Sequence, residues 1–336
     1  MISTIKQKIT WVKIISKRYG GAIDGEKTRR ALSNNYNVEV RNMSSGYFSW
    51  RYLKPFGWFL GLFNLKGYSD LWIRDDFYSI ALQMFDGTQG KKLALIHHID
   101  SSTFPLFLRP TVLLLESLFY WQLKKSDAIV TVSQYWQNHF LAKGYSNVYK
   151  IYNCFDLSQY ENVKDEDVLE FKKNYGLEEK PIIYLGNCQK AKGVVESYQA
   201  LKSLDVFLVT SGEEQIKIPA RNLNISYREY LTLLKACSIV VTMSLFKEGW
   251  CMTAHEAMLL QTPVIGSGRG GMRELLEGGK QIVCQDFSHL KPRVEYLLNN
   301  SDARKKMGED GLKFASQFPL EKFRDEWLKL VKTVIG

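Results

Sequence analysis

Short apolar runs alternate with segments of helical periodicity along the whole chain, and this alternation constrains the fold more than any other feature. The predicted strands lie near Trp11–Ile15, Val38–Val40, Leu71–Arg74, Leu93–Ile96, Ala128–Val132, Val148–Tyr152, Ile182–Leu185, Val206–Val209, Ile239–Thr242, Val264–Ile265 and Ile282–Cys284. The predicted helices lie near Gly25–Ser33, after Arg109, near Gln134–Lys143, Val194–Leu201, Arg228–Ala236, Thr253–Leu259 and Met272–Leu276, and from Phe287 to the end. Strands that alternate with helices form parallel sheets with helices on both faces, so the sequence predicts an α/β fold.

A highly charged segment without a strand, residues 157–180, divides this pattern into two similar halves. A chain of 336 residues is long enough for two domains. We therefore predict a Rossmann-like first domain over residues 1–156, a linker over 157–180 and a Rossmann-like second domain over 181–317. An amphipathic last helix, residues 318–336, is predicted to pack back on the first domain. Two such domains that face each other across a cleft would bind ligands at the carboxyl ends of their strands.

The net charge of +10 lies entirely in the first half of the chain. Residues 1–150 contain 20 lysines and arginines and 10 acidic residues, whereas residues 151–336 contain 25 of each kind. The first half also contains an aromatic and basic stretch, Tyr47–Tyr68. Such a surface suits anionic headgroups of a membrane, although a basic solvated face with a hydrophobic helix has the same composition. No recognised reader motif accompanies the charge, so no nucleic-acid partner is expected.

The cysteines and the apolar runs indicate the cellular compartment of the protein. The cysteine count is odd and no two cysteines have metal-ligand spacing, which favours a reducing compartment over a disulfide framework. The N-terminus lacks the apolar core of a signal peptide. No apolar run reaches the roughly 18 residues that a membrane span needs. We therefore expect a cytoplasmic protein, peripheral at the inner face of the membrane. The five cysteines are Cys154, Cys188, Cys237, Cys251 and Cys284.

The segment Lys247–Leu275 carries the strongest local pattern. A predicted strand ends before it, a loop follows, and a helix is predicted to begin near Thr253. Glu248 and Glu256 flank the loop with seven residues between them. The amides at a helix N-terminus bind a diphosphate, and a carboxylate within the helix can accept from both hydroxyls of a ribose. The loop amides are those of Gly249, Trp250, Cys251, Met252 and Thr253.

This string of residues resembles the motif of the retaining glycosyltransferases of family 4, which have the GT-B fold. The matching residues are Glu248, Glu256, Ala257, Met258, Thr262, Pro263, Val264, Gly270, Gly271 and Glu274. The resemblance implies that Glu256 holds the nucleotide ribose, that Glu248 lies at the donor-sugar end, and that Thr253 with the loop amides holds phosphate or sugar hydroxyls. The alternative is an ordinary surface helix with two solvated acids.

A second matching segment, Tyr184–Leu201, is similar to the family's phosphate-binding turn. A strand is predicted to end at Gly186, and Lys192 falls on the family's lysine position. Asn187 stands where the family has an arginine, which normally helps to neutralise the leaving diphosphate. Lys190 is a candidate for the missing charge, with a solvated surface lysine as the alternative.

The first half offers candidate residues of its own. Gly20 and Gly21 follow a predicted strand and resemble the family's first glycine loop, which reaches the donor, although a common turn has the same pattern. Asp24 is a candidate for acceptor hydroxyls or, equally, for a helix cap. His97 and His98 follow another strand, where the family often has a histidine on the donor sugar. Because side chains alternate along a strand, we expect only one of the two to face the cleft, and for either one a structural histidine is the alternative.

The resemblance implies a retaining glycosyltransferase that moves a sugar from a nucleotide sugar to a saccharide or lipid-linked acceptor, with UDP-sugars favoured as donors over GDP-sugars. Glu248, Lys192, His97 and His98 are the catalytic candidates. The pair Asp165 and Asp167 lies in the charged segment, not after a strand, so neither a metal nor a cofactor is expected. The alternatives are a nucleotide-sugar-binding or membrane-docking protein without turnover and a nucleotide-sugar epimerase.

Overall fold

The computed structural model describes residues 6–13, 20–43, 54–99 and 109–336. The chain divides into two units. The first unit contains the described residues up to Cys154 together with Leu320–Gly336, and the second contains Phe155–Pro319. Residues 157–180, predicted to be a linker, belong to the second unit.

A parallel six-stranded sheet forms the centre of the first unit, in the order β2-β1-β3-β4-β5-β6. Its strands are buried nearly throughout in the middle of the sheet, as expected where helices cover both faces. The strands are β1 (Lys8–Lys13), β2 (Asn37–Asn42), β3 (Lys66–Arg74), β4 (Gly87–Ile96), β5 (Ala128–Thr131) and β6 (Val148–Lys150).

In the described ranges of this unit, five helices connect these strands. Among them, α5 begins after Ser133, whose hydroxyl accepts from the amide of Trp136 and so satisfies one of the first amides of the helix. The buried face of this helix places Trp136 and Phe140 against the sheet core. The helices are α1 (Gly20–Ser33), α2 (Lys54–Leu62), α3 (Phe77–Ala81), α4 (Arg109–Leu123) and α5 (Gln134–Ala142).

A second parallel six-stranded sheet forms the centre of the other unit, in the order β12-β11-β10-β7-β8-β9. Its central strands β7 and β10 contribute Ile183, Leu185, Ile239 and Val241 to the hydrophobic core. The strands are β7 (Ile182–Asn187), β8 (Phe207–Ser211), β9 (Arg221–Leu223), β10 (Ile239–Thr242), β11 (Val264–Gly266) and β12 (Ile282–Val283).

Eight helices surround this second sheet. Helix α9 begins with a capping box in which the Ser226 hydroxyl accepts from the Glu229 amide and the Glu229 carboxylate accepts from the Ser226 amide. The helices are α6 (Leu157–Glu161), α7 (Asp165–Asn174), α8 (Val194–Leu201), α9 (Tyr227–Ala236), α10 (Met252–Leu259), α11 (Met272–Gly278), α12 (Leu290–Asn299) and α13 (Ser301–Ala315). A last helix, α14 (Leu320–Ile335), packs against α1 of the first unit.

The charged segment, residues 157–180, contains two helices, α6 and α7. Helix α7 packs on α9, and between them Asp165 pairs with Lys235 at 2.8 Å and Asp167 pairs with Arg228 at 2.8 Å. Both aspartates lie in the first turn of α7, where a negative charge is favourable. In the part of the chain that the structure describes, no group of three or more potential ligand side chains is arranged to hold a metal ion.

Both predicted parallel sheets are present, so the predicted α/β fold class is confirmed. Strand β9 was not predicted, because Arg221–Leu223 is short and lies at the sheet edge, without an apolar run. Along the described ranges, no helix has both the length and the apolar character needed to cross a bilayer.

Candidate functional site

The second sheet has a topological switch point between β7 and β10. The chain adds β8 and β9 on one side of β7 and then places β10, β11 and β12 on its other side. In open α/β sheets, ligands bind at such a point, outside the carboxyl ends of the strands. A pocket lies there in this unit. It is lined by Leu185, Gly186, Asn187, Lys192, Thr242, Ser244, Glu248, Cys251 and Thr253.

Lys192 and Glu248 meet in this pocket although 56 residues separate them. The Lys192 ammonium donates to Glu248 Oε1 at 2.7 Å, and the Ser244 hydroxyl donates to the same oxygen at 2.6 Å. Lys192 also lies 4.9 Å from the ring centroid of Phe246. Burial disfavours the charged ammonium, but the charge of Glu248, the influence of Cys251 and the hydrogen bond to Glu248 together outweigh burial, so the pKa of Lys192 is raised. The lysine therefore carries its positive charge at the site.

Gly193 brings Lys192 close to the end of β10. Its φ of 68° lies in the left-handed region, and an added Cβ would lie within 3.0 Å of the Met243 carbonyl oxygen. The Leu245 amide donates to the carbonyl of Ala191 at 2.9 Å, which ties the two loops together. The glycine therefore permits the approach on which the ion pair depends.

Gly270 has the same function for Glu248. The Glu248 amide donates to the Arg269 carbonyl at 3.1 Å, and the Glu248 carbonyl accepts from the Gly271 amide at 2.9 Å. Gly270 has a φ of 68°, and an added Cβ would lie within 3.0 Å of the Glu248 backbone. The Gly270-Gly271 pair thus holds the backbone of Glu248 in position.

Helix α10 begins at Met252, one residue before the predicted start, with its N-terminus at the pocket. Cys251 precedes it with φ 64° and ψ 76°, a left-handed conformation that is unusual for a residue with a Cβ. Burial raises the pKa of the Cys251 thiol to about 12, so the thiol stays protonated. The first amides of an α-helix have no acceptor within the helix, and the helix dipole favours an anion beside them.

Trp250 contributes its backbone to this loop, whereas its side chain lies in the core. The indole is 2% exposed and donates to Nδ1 of His255 at 2.9 Å. The other ring nitrogen of His255 lies 3.0 Å from the Ala315 carbonyl, so His255 is neutral with its proton on Nε2. Among the predicted loop residues, Trp250 therefore has a structural side chain.

Glu256 is buried, 6% exposed, within the second turn of α10. Tyr227 donates to its Oε1 at 2.8 Å, and Tyr230 donates to its Oε2 at 3.1 Å. The Tyr160 hydroxyl lies 3.1 Å from that of Tyr227. The Tyr230 hydroxyl is also 3.2 Å from that of Thr253. A phenol cluster, Tyr160, Tyr227 and Tyr230, thus surrounds the carboxylate.

The phenol cluster was not predicted from the sequence, although a signal for it exists. The capping box at Ser226 marks the start of α9, and tyrosines at positions i and i+3 of a helix lie on one face. Ser244 was also missed, since a single serine after a strand is common.

Asn187 and Lys190 are separated in the structure. Asn187 lines the pocket, and its Oδ1 accepts from the hydroxyl of Tyr184 at 3.0 Å. That tyrosine also lies 2.7 Å from the Ser211 hydroxyl. Lys190 is exposed at the start of a short 3₁₀ turn, so the positive charge that lines the pocket is that of Lys192.

The remaining candidates belong to the first unit. Helix α1 begins at Gly20 and contains Gly21 and Asp24, whose side chain lies outside the described part of the structure. His97 directly follows β4 and is half-buried, while His98 is exposed. Burial lowers the pKa of His97 to about 4, so its imidazole is neutral near pH 7. The alternative of a helix cap at Asp24 is wrong, because α1 begins four residues earlier. The other roles predicted for these residues stay predictions.

Comparison with known proteins adds a family match. Residues 165–314 match the family described as glycosyl transferases group 1. An uncharacterised glycosyltransferase of Methanocaldococcus jannaschii is 27% identical over 223 residues, 61% of this chain and 59% of that protein. N-acetyl-alpha-D-glucosaminyl L-malate synthase of Bacillus anthracis is 26% identical over 234 residues, 63% of this chain and 60% of that protein. The chain thus spans about 60% of the length of these relatives.

Solved structures show the same fold. Sucrose-phosphate synthase from Thermosynechococcus elongatus has a TM-score of 0.79 at 15% identity, covering 98% of this chain and 99% of that one. HepE of Anabaena, in complex with UDP-glucose, has a TM-score of 0.74 at 16% identity, covering 97% and 100%. The fold is therefore of the GT-B type, as predicted. The matched residues lie within the second unit, which is therefore similar to the domains that the family of glycosyl transferases group 1 describes.

Proposed function

We propose that this protein is a retaining glycosyltransferase that moves a sugar from a nucleotide sugar to a hydroxyl of a saccharide or lipid-linked acceptor. One observation carries the proposal: Lys192, Glu248 and the start of α10 meet at the switch point between β7 and β10, with Glu256 one turn further along the helix. UDP-sugars are the favoured donors and GDP-sugars come second. The UDP-glucose bound by HepE, which has the same fold, supports this order.

The chemistry of the leaving group fits this arrangement. Negative charge grows on the diphosphate as the bond to the sugar breaks, and fixed positive charge at that point lowers the barrier. Lys192 supplies an ammonium with three N–H donors, of which Glu248 Oε1 takes one. The start of α10 supplies amides and a favourable dipole. The site therefore suits a diphosphate without a metal ion or another cofactor.

Retention follows from attack on the donor face that the diphosphate leaves. The bond from the anomeric carbon to the phosphate oxygen breaks, and a bond from that carbon to the acceptor oxygen forms. The acceptor hydroxyl passes its proton to the departing phosphate oxygen, so no protein carboxylate has to act as a nucleophile. Glu248 keeps Lys192 charged and in position through this step.

The acceptor side is proposed to lie at a membrane surface, in the synthesis of a cell-envelope polysaccharide or a glycolipid. Residues 1–150 carry the whole net charge of the chain. On α4, Leu113 and Leu114 are each 62% exposed and Trp121 is 44% exposed, with Lys125 lying 3.6 Å over the Trp121 ring. Apolar side chains beside lysines suit the interface of an anionic bilayer. The protein would then be cytoplasmic and peripheral at the inner membrane face.

Binding without turnover is the second candidate, and Asn187 favours it. This side chain is neutral and accepts from Tyr184, at the position where an arginine would add positive charge for the leaving group. The two candidates predict the same ligand and differ only in the product. An epimerase is a third outcome of the same assay.

A product assay decides among these functions. The protein is incubated with UDP-, GDP- and ADP-sugars, together with simple glycosides and lipid-linked acceptors, and the products are identified by mass spectrometry and NMR. A glycoside that keeps the anomeric configuration of the donor supports the proposal. An isomerised nucleotide sugar would show an epimerase instead, and bound but unchanged donor would show a binding protein.

A further inference from the structure

The Glu256 carboxylate is covered by two phenols of the second unit. Tyr227 and Tyr230 each donate to one of its oxygens, and the residue is only 6% exposed. Because so little of the carboxylate is exposed, a ribose that binds it, as the proposed function requires, needs one phenol to move away. The arrangement of the phenol cluster shows which one.

Hydrogen-bond direction is determined along this cluster. A phenol has a single proton, and that of Tyr227 goes to Glu256 Oε1, so the Tyr160 hydroxyl donates to Tyr227 over 3.1 Å. The Tyr227 hydroxyl therefore donates to a carboxylate and accepts from a phenol. A ribose hydroxyl, which is both a donor and an acceptor, satisfies the same two partners without leaving the buried Tyr160 hydroxyl unpaired.

Tyr227 and Tyr230 differ in how firmly they are held. Tyr227 is the first residue of α9 and is 48% exposed, so its ring can turn into solvent. Tyr230 lies one turn further into the helix, has an edge-to-face contact with Tyr184 and a second hydrogen-bond partner in Thr253. Burial, followed by the charge of Glu256, raises the pKa of Tyr230 well above its ordinary value. Tyr230 therefore stays, and Tyr227 is the side chain that can leave.

We propose that the Tyr227 hydroxyl occupies the place of one ribose hydroxyl in the ligand-free protein and yields it when a nucleotide binds. This inference rests on the proposed function, because it assumes a nucleotide at Glu256. The Tyr227 ring, which stacks on Tyr230 at 6.0 Å between centroids, then becomes available as an aromatic wall of the nucleoside site. Because a ribose hydroxyl has to replace the Tyr227 hydroxyl at Glu256, Tyr227 influences the affinity for the nucleotide.

Tyr227→Phe tests the exchange, because it removes the hydroxyl and keeps the ring. The free variant lacks one hydrogen bond to a buried carboxylate, whereas the nucleotide-bound state keeps its ribose contact. We expect UDP or GDP, whichever the wild type binds, to bind roughly tenfold more tightly. Tyr296→Phe is the matched control, since Tyr296 is 57% exposed on α12, and it should leave the affinity unchanged.

A 2′,3′-dideoxy form of the same nucleotide provides the second arm. It has no hydroxyl to take the vacated place, so Tyr227→Phe should not improve its binding. Titration calorimetry on the full chain measures both ligands. Equal or weaker binding of the ribonucleotide by Tyr227→Phe, or an equal gain for the dideoxy form, would overturn the inference while leaving the proposed function intact. Absence of nucleotide binding by the wild type would overturn both.

Discussion

The ammonium of Lys192 lies 2.7 Å from Glu248 Oε1, so two residues from different loops of the second unit form one charged pair at the pocket. The side chain of Glu248 is 8% exposed and that of Lys192 is 30% exposed. Glu248 is the more buried partner and also accepts from Ser244, so its position is fixed. It therefore holds the Lys192 ammonium in place at the pocket. In the proposed function, the lysine is then the group that contacts the diphosphate of the donor.

Lys192→Met should lower turnover roughly 10²-fold, the effect of removing one preorganised donor from a developing negative charge. Lys190→Met is the matched control, because Lys190 lies two residues away and is exposed. The measurement is the initial rate of nucleotide release from the donor identified in the product assay. Similar losses in the two variants would show that general positive charge, not the position of Lys192, matters.

Gly270→Ala should destabilise the second unit by about 2–4 kcal/mol, since it combines a strained backbone with a close contact against Glu248. Gly144→Ala is the control: Gly144 has a φ of 84°, but an added Cβ would meet nothing within 4 Å. That variant should lose only about 1 kcal/mol. Chemical denaturation measures both. Equal losses would mean that the contact with the Glu248 backbone contributes nothing.

Periodicity was sufficient to predict the sheets, because a parallel strand buried on both faces is a continuous apolar run. Strand β9 has no such run, and its place at the sheet edge depends on pairing with β8. Helices α6 and α7 lie in the segment that was predicted as a charged linker. The buried residues of these two helices, Tyr160 and Phe171, are outnumbered by charged residues, so the composition resembles that of a linker. Two of the charged residues pair with residues of α9.

The candidate site was predictable where its residues follow strands in a fixed spacing, as Glu248, Glu256 and Lys192 do. The environment of these residues was not predictable, because it comes from distant segments. The Trp250 side chain lies in the core through contacts with His255 and Phe318, the latter 68 residues away in sequence. Sequence spacing contains no signal for such contacts.

Asp75→Asn should stabilise the first unit more at pH 8 than at pH 4. Burial, followed by the charge of Asp76, raises the pKa of Asp75 from its ordinary value of 3.8 to about 7. Between these two values the folded state holds a proton that the unfolded state has released, so the free energy of unfolding falls as pH rises. The variant lacks this dependence.

Thermal unfolding of wild type and Asp75→Asn at several pH values between 4 and 8 checks this prediction. The difference between their midpoints should widen as pH rises toward 7 and then become constant. Asparagine keeps an oxygen that can accept from the Trp11 indole, as Asp75 does at 2.9 Å, so a loss of that hydrogen bond is avoided. A midpoint difference that does not vary with pH would contradict the raised pKa.

Replacement of Leu113 and Leu114 by serine should weaken binding to anionic vesicles, because it removes two exposed apolar side chains from α4. Leu169→Ser on α7 is the control, as Leu169 is 69% exposed but belongs to the second unit. Flotation with vesicles of phosphatidylglycerol and phosphatidylcholine at low salt is the measurement. If the wild type stays in solution, or if both variants float equally well, α4 is not the membrane contact.

Nucleotide-sugar binding by wild type and Glu256→Gln tests the central claim most directly. Glutamine keeps the shape of the side chain and removes its charge, so a ribose that donates to Glu256 should bind at least roughly tenfold more weakly. Glu277→Gln, an exposed replacement on α11, should bind like the wild type. We predict that titration with UDP-, GDP- and ADP-sugars gives this pattern for one nucleotide. Wild-type protein that binds none of them, or Glu256→Gln that binds as tightly as the wild type, would contradict the account.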